Sequence, residues 1–345
     1  MDEKRQEKIK TYIFLTLSLF SGFFEIGGVL WAVRVGKPVY FIVGMGLMYQ
    51  LGNMVPVPVK INRRIAIGLL TASLAAAVLV RMDIVSDMLM LPIMCFVACA
   101  IQHMRSVMKE KVGTTIKRIF RVLGFIVAPF FSILTCIICI GVLSVLAFTS
   151  KKENKIGAEI IRCEITPINI IMIVHQMHYF GYVYFMLVIL DSFVTASHMV
   201  IGILFVIGWI TYLIVPHILR GKRFFLYFIS GHFFLSLILL GLALNYNTVS
   251  AAILWILTGF GGGTVFCVKK INDIYSDCNS NDIVFSENVG HILGTTLGLV
   301  AFYVFHSLQA PIIFSMCCAI TACVSMFGYR IIKTVKMRES EWLQD

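Results

Sequence analysis

The chain has 345 residues, of which 59% are hydrophobic and only 14% are charged. A composition this apolar, with a mean hydropathy of +0.90, excludes a soluble domain and indicates a protein whose solvent is the lipid bilayer. The formal net charge of +11 comes from Lys and Arg in short connections between apolar runs, so it indicates membrane topology rather than nucleic-acid binding.

Apolar runs long enough to cross about 30 Å of hydrocarbon as helices recur along nearly the whole chain. In the first half they lie near residues 11–33, 38–59, 65–81, 86–104 and 119–148. In the second half they lie near residues 169–192, 196–219, 224–244, 249–268, 284–306 and 309–332. Lys and Arg cluster at both termini, and the positive-inside rule therefore places both in the cytoplasm and requires an even number of crossings.

The block from 119 to 148, which contains Pro129, is too long for one ordinary span and too short for two full ones. A hairpin, a pair of shortened helices, or one long helix followed by a degenerate crossing in 156–170 would each restore even parity. The expected fold is an all-α integral membrane bundle of about 11–12 transmembrane helices in two pseudo-symmetric halves. Its expected parts are a transmembrane half at 1–148, a polar linker at 149–168, a second transmembrane half at 169–333 and a cytoplasmic tail at 334–345.

Two features repeat between the halves. A basic loop with Arg63 and Arg64 follows the second span, and a loop with Lys222 and Arg223 occupies the corresponding place later. Small residues also recur every four positions, which lets membrane helices approach closely. The residues predicted to pack helices in this way are Gly124, Ala128, Pro129, Gly290, Gly294 and Gly298, and Ser132 extends the first series.

These loops, together with the series Arg121, Gly124, Ala128 and Pro129, resemble the major facilitator superfamily of secondary transporters. The resemblance implies alternating access, a cavity lined by the first helix of each half, and basic loops that change contacts between conformations. It also favours export over uptake, because the Gly and Pro series resembles a motif of exporters in that family. The first basic loop lacks the glycine and aspartate usual in the family.

Glu25 lies near the middle of the first span, where a short carboxylate cannot easily reach water. Ionisable groups at this depth are costly and therefore indicate function, so we predict a role for Glu25 in proton coupling. A structural carboxylate bonded to a neighbouring helix is the alternative. Gln50 and Asn53 in the second span could add hydrogen bonds to a substrate or join helices.

His175, His178, Tyr179 and Tyr182 fall at helical spacings of three and four and share one face. Histidine titrates near neutrality, so His175 and His178 are further candidates for proton coupling, and the two tyrosines are candidates for substrate binding. A soft-metal site with Met177 and a packed interface of satisfied histidines are the alternatives. The basic stretch from Arg105 to Arg121 is expected to lie on the cytoplasmic surface against anionic lipid, with state-dependent contacts between helices as a further role.

The sequence therefore predicts a multi-pass transporter of the plasma membrane that moves a small organic solute, with protons and the bilayer as its other partners. No cofactor, bound metal or enzymatic activity is expected, because no acid pair, metal cluster or nucleophile motif has the required spacing. The alternatives are a non-transporting accessory or immunity protein on a degenerate transporter scaffold and, less favoured, a copper-type metal transporter. The oligomeric state does not follow from the sequence.

Overall fold

A computed structural model describes residues 3–54, 63–107, 114–149, 165–193, 198–219, 221–244 and 247–342, and all regular structure in these ranges is helical. The first six helices are α1 (Glu3–Arg34), α2 (Val39–Met54), α3 (Arg63–Arg81), α4 (Met90–Val107), α5 (Thr114–Val127) and α6 (Ile133–Thr149). The others are α7 (Pro167–Phe193), α8 (His198–Ile218), α9 (Phe224–Leu244), α10 (Thr248–Gly262), α11 (Phe266–Tyr275), α12 (Ser280–Phe305) and α13 (Gln309–Trp342). Within the described ranges, nine helical segments are long and apolar enough to cross a membrane, and α10 and α11 together count as one of them.

The ambiguous block at 119–148 contains two helices. Helix α5 ends at Val127, a 3-10 turn covers Ala128–Phe130, and α6 begins at Ile133. Pro129 cannot continue the helical hydrogen-bond ladder, which is why the chain breaks there. Ser132 therefore lies outside α5 and does not extend its small-residue series, and its side chain instead accepts a hydrogen bond from the backbone of Thr135 at the start of α6.

The chain forms two compact units, one of residues 1–160 with 194–206 and the other of residues 161–193 with 207–345. In the first unit α1 packs against α5, and α3 packs against α6. In the second unit α7 packs against α12, and α9 packs against α13. When α10 and α11 are taken as one segment, each pair in the second unit corresponds to a pair in the first, six segments later. The units therefore repeat a packing scheme as well as loop charges.

Helix α6 has an exposed apolar face. Five hydrophobic residues at spacings of three and four expose 42% to 61% of their surface, namely Leu134, Ile138, Val142, Val145 and Phe148. In water such a face would be costly, whereas in hydrocarbon it is the favoured surface of a helix whose backbone groups are bonded internally. We therefore assign it to the lipid, as the composition of the chain requires.

Candidate functional site

The first unit holds a buried ion pair between α1 and α5. The Glu25 side chain is 3% exposed, and its Oε2 accepts hydrogen bonds from Arg121 Nη2 at 2.5 Å and from Arg121 Nε at 3.1 Å. Charge-assisted bonds of this kind are stronger than neutral ones and fix the direction of the guanidinium plane. Glu25 therefore has a defined cationic partner within its own unit.

The position of the Arg121 side chain differs from a surface position of the basic stretch. The basic stretch that contains Arg121 was expected to lie along the cytoplasmic surface, with contacts between helices as a further role. The Arg121 side chain points into the unit, is only 33% exposed and contacts Glu25 of α1, so it agrees with the second part of that expectation and not with the first. Lys109 and Lys111 of the same stretch lie outside the described residues. Sequence spacing could not reveal the pairing, because 96 positions separate Arg121 from Glu25.

Helix α2 contributes polar groups beside the pair. Gln50 Nε2 donates to Glu25 Oε1 at 3.4 Å, so the second carboxylate oxygen also has a partner. The Tyr49 hydroxyl donates to the Ser21 carbonyl at 2.8 Å and lies 3.0 Å from the Ser21 hydroxyl. Of the residues predicted to bind substrate in this half, Gln50 thus contacts the ion pair, whereas Asn53 lies half-buried one turn further along α2.

The ion pair lies where the backbones of α1 and α5 come closest. A Cβ added at Gly22 would lie 2.1 Å from the Arg121 carbonyl oxygen, and one added at Gly124 would lie 2.1 Å from the Leu19 carbonyl oxygen. Only glycine fits at either position, because no real side chain tolerates such a distance to a backbone atom. The two glycines flank the Glu25 and Arg121 pair at helical spacing, so the close approach sets its geometry.

Arg105 on α4 is a second arginine in this region that the sequence did not identify as part of a site. Its charge interacts with those of Glu25 and Arg121, and its guanidinium carbon lies 5.7 Å from the centroid of the Phe14 ring. Its Nε is buried and has no hydrogen-bond partner among the residues that the structure describes. Its position in the last turn of an apolar helix gave little signal, because a long arginine side chain near a helix end ordinarily reaches the interface, whereas Glu25 was identified near the middle of a span.

Three histidines meet in the second unit. His175 and His178 on α7 and His232 on α9 are each at most 1% exposed, and one nitrogen from each ring lies within 4.8 Å of the other two. His175 Nδ1 and His232 Nε2 lie 2.7 Å apart. His232 was not identified from the sequence, although it is an ionisable residue within an apolar run like the other two.

The tautomer of His232 follows from its neighbours. Its Nδ1 lies 3.0 Å from the Phe228 carbonyl oxygen and 3.3 Å from the Thr264 hydroxyl, and a carbonyl can only accept. Nδ1 therefore carries the proton, and Nε2 presents a lone pair toward His175. The Phe228 ring, stacked at 3.8 Å between centroids, holds the imidazole in this orientation.

His178 is the unsatisfied member of the cluster. Both of its ring nitrogens are buried, and neither makes a hydrogen bond of ordinary geometry with any of the described residues. Leaving a buried polar group unpaired costs about 1–3 kcal/mol, so a histidine in this state needs an explanation. The interpretation of the cluster as an interface of satisfied histidines does not account for His178.

The two tyrosines predicted to bind substrate lie on the same helix but face different neighbours. The Tyr179 ring packs edge-on against Trp209 at 6.1 Å, and the Tyr182 ring packs against Trp255 at 6.0 Å. Tyr182 is 1% exposed, while Tyr179 is half-buried. Met177 of the soft-metal alternative is not in the histidine cluster, because its backbone lies against Gly294 of α12.

The small residues of α12 face α7. A Cβ at Gly290 would lie 2.6 Å from the Ile173 carbonyl oxygen, one at Gly294 would lie 2.7 Å from that of Met177, and one at Gly298 would lie 2.3 Å from that of Gly181. In the first unit Ala128 is fully buried, and Arg34 of α1 donates to the Pro129 carbonyl at 3.3 Å. The same kind of glycine contact thus occurs between α7 and α12 as between α1 and α5.

Comparison with known proteins gives structural matches only. No model of a protein family and no curated protein sequence matches the chain. The nucleoside transporter NupG matches with a TM-score of 0.63 at 12% identity, covering 95% of this chain and 99% of NupG. A bacterial homologue of the iron transporter ferroportin in its inward-facing state matches with a TM-score of 0.64 at 13% identity, covering 95% and 99%. The human organic anion transporter MFSD10 matches with a TM-score of 0.62 at 11% identity, covering 94% and 100%.

The chain has the major facilitator fold. The similarity spans nearly the full length of each of these transporters. Identities this low establish the fold alone. The helix pairs that recur in the two units agree with two halves related as repeats.

The two basic loops predicted from the sequence lie partly outside the described residues. Arg63 begins α3 but its side chain lies outside the described residues, whereas Arg64 is exposed. Lys222 and Arg223 are exposed in the connection between α8 and α9. Their predicted role in conformational change stays a prediction.

Proposed function

We propose that this protein is a secondary transporter that moves a small solute across the membrane by alternating access, and that the Glu25 and Arg121 pair couples transport to protons. The observation that carries the proposal is a buried carboxylate bound by a guanidinium at the closest approach of two helices. The transporter matches over nearly the whole chain support the general function. Nucleosides, iron and organic anions are named for those proteins, and each class is a candidate solute to test.

Proton coupling would act through the negative charge of Glu25. Protonation of Glu25 removes the negative charge that holds Arg121, so the two bonds between α1 and α5 become much weaker. Gln50 can still donate to the protonated carboxyl group, so Glu25 keeps one partner in either state. A proton therefore changes the attraction between two helices, and that change is what alternating access requires of a coupling group. Export and the proton-coupling role of His175 and His178 stay predictions.

The test is proton movement in proteoliposomes that contain a trapped pH-sensitive dye. A panel of nucleosides, divalent metal ions and organic anions is added outside, and a transported solute is expected to change the internal pH. The Glu25→Gln variant should transport without moving protons or fail to transport, whereas Asp273→Asn, on an exposed surface of α11, should behave as the unmodified protein. Undiminished proton movement with Glu25→Gln would refute the coupling role. An absence of flux for the whole panel would favour the non-transporting accessory protein.

A further inference from the structure

We propose that His175, His178 and His232 form a binding site for one divalent first-row transition-metal ion, most simply Zn²⁺. The three rings come from two helices of the second unit and bring one nitrogen each within 4.8 Å of the others. Two of the ligands lie three positions apart on α7, a spacing that puts both rings on one side of the helix. This site does not depend on proton coupling at Glu25, which lies in the other unit.

The unpartnered nitrogens of His178 are the second observation that indicates a ligand. The three histidines are at most 1% exposed, and within the described ranges neither ring nitrogen of His178 has a hydrogen bond of ordinary geometry. A buried imidazole nitrogen with a free lone pair and two further imidazoles nearby is the environment that a borderline metal ion binds. A metal ion would give His178 the partner that it lacks in the described part of the chain.

His232 has the supporting contacts of a metal ligand. Its Nδ1 is engaged by the Phe228 carbonyl and the Thr264 hydroxyl, which leaves Nε2 as the donor atom. Histidine ligands in metal sites are generally oriented in this way, by a hydrogen bond from the ring nitrogen that does not bind the ion. The orientation of His232 therefore already suits metal binding.

The rings must shift to hold an ion, because nitrogens that lie up to 4.8 Å apart have to come within about 3.3 Å of one another. Metal to nitrogen bonds of about 2.0–2.1 Å in a tetrahedral site place neighbouring nitrogens about 3.3 Å apart. His175 Nδ1 and His232 Nε2 lie 2.7 Å apart, as in a hydrogen bond, so the two rings would separate by about 0.6 Å as the ion replaces the shared proton. That proton moves to His175 Nε2 or is released, because a ligand nitrogen must present a lone pair.

The donor set selects the class of ion. Three neutral imidazoles suit Zn²⁺, Co²⁺, Ni²⁺ or Cu²⁺, whereas Ca²⁺ and Mg²⁺ require oxygen ligands that this cluster does not contain. Three protein ligands also leave a fourth position of a tetrahedral ion for water or another group. The sequence alternative with Met177 is replaced by one with His232.

The experiment uses the purified full-length chain in detergent, with any affinity tag removed and metal stripped by a chelator. The protein is titrated with Co²⁺ and then with Zn²⁺, and bound ions are counted by equilibrium dialysis and elemental analysis. We expect one ion per chain, and X-ray absorption should show nitrogen ligands at about 2.0–2.1 Å. Fewer than one ion, or sulfur ligands from the cysteines, would overturn the proposal.

Variants then locate the ion. His178→Ala and His232→Ala should each weaken binding at least tenfold, whereas His217→Ala, at an exposed position of α8, should leave it unchanged. If His178→Ala does not fold, His178→Gln keeps most of the side-chain volume and removes the imidazole. Equal affinity in the cluster variants and in His217→Ala would show that the ion binds elsewhere and would overturn the assignment.

Discussion

Arg121 binds Glu25 of α1 through two guanidinium nitrogens, at 2.5 Å and 3.1 Å. Its backbone carbonyl lies against Gly22, which is one turn before Glu25 on α1. One residue of α5 therefore contacts α1 through both side chain and backbone. The glycine contact brings the helices close enough for the ion pair, and the ion pair adds a charge-dependent attraction to the contact. A change at either position should consequently affect the other.

The ion pair should show strong thermodynamic coupling. Arg121→Leu leaves the buried Glu25 carboxylate without its cation, and we expect a loss of about 3 kcal/mol, the lower end for broken buried pairs, because the Arg121 side chain is 33% exposed. Adding Glu25→Gln should restore much of that stability, because the unpaired charge is then removed. Unfolding in mixed micelles measures all three variants. Additive losses would indicate that the pair is not formed.

Gly124 should tolerate no side chain. Gly124→Ala places a methyl group against the Leu19 carbonyl and should cost about 1–3 kcal/mol or more, because the helices must move apart. Gly141→Ala in α6 is the matched control, since nothing lies within 4 Å of its Cβ position. The thermal unfolding midpoint in detergent should fall for the first variant only. Equal midpoints would contradict the close approach of α1 and α5.

The hydroxyl of Tyr49 should stabilise the first unit. Tyr49→Phe removes the bond to the Ser21 carbonyl and the contact with the Ser21 hydroxyl, and a loss of about 1 kcal/mol is expected for buried neutral bonds. Tyr12→Phe, at a residue 68% exposed, should have no measurable effect. The comparison is again made by unfolding in mixed micelles. A matching loss in both variants would assign the effect to something other than these bonds.

The number of helices predicts the sidedness of the loops. With α5 and α6 as separate crossings and α10 with α11 as one, single cysteines at Arg64 and Lys222 should react from the same side of the membrane. Cysteines at Asp83 and Asn247 should react from the other side, because each lies one crossing away from those loops. Labelling with an impermeant reagent in a cysteine-free background tests this. Opposite sides for Arg64 and Lys222 would mean an odd number of crossings between them.

Individual residues show how far the sequence could predict the site. Glu25, His175 and His178 were recognisable because an ionisable group in an apolar run is costly wherever the run folds. Arg121 was placed with the basic stretch on the cytoplasmic surface, and its partner was not identified, because a one-dimensional pattern does not tell which face of a helix meets a neighbour. His232 satisfied the same criterion as the other histidines, but nothing in the spacing linked α9 to α7.

The sequence by itself determined that this chain is a helical membrane protein with two similar halves, because hydrocarbon requires apolar spans with internally bonded backbones and small residues mark close helix contacts. Only the tertiary structure decided that Arg121 binds Glu25, that three histidines meet, and that the block around Pro129 is two helices. The physical reason is that the insertion of a segment into the bilayer depends on the composition of that segment alone. The pairing of side chains depends on which helices pack together, and that is decided by contacts between residues far apart in the sequence.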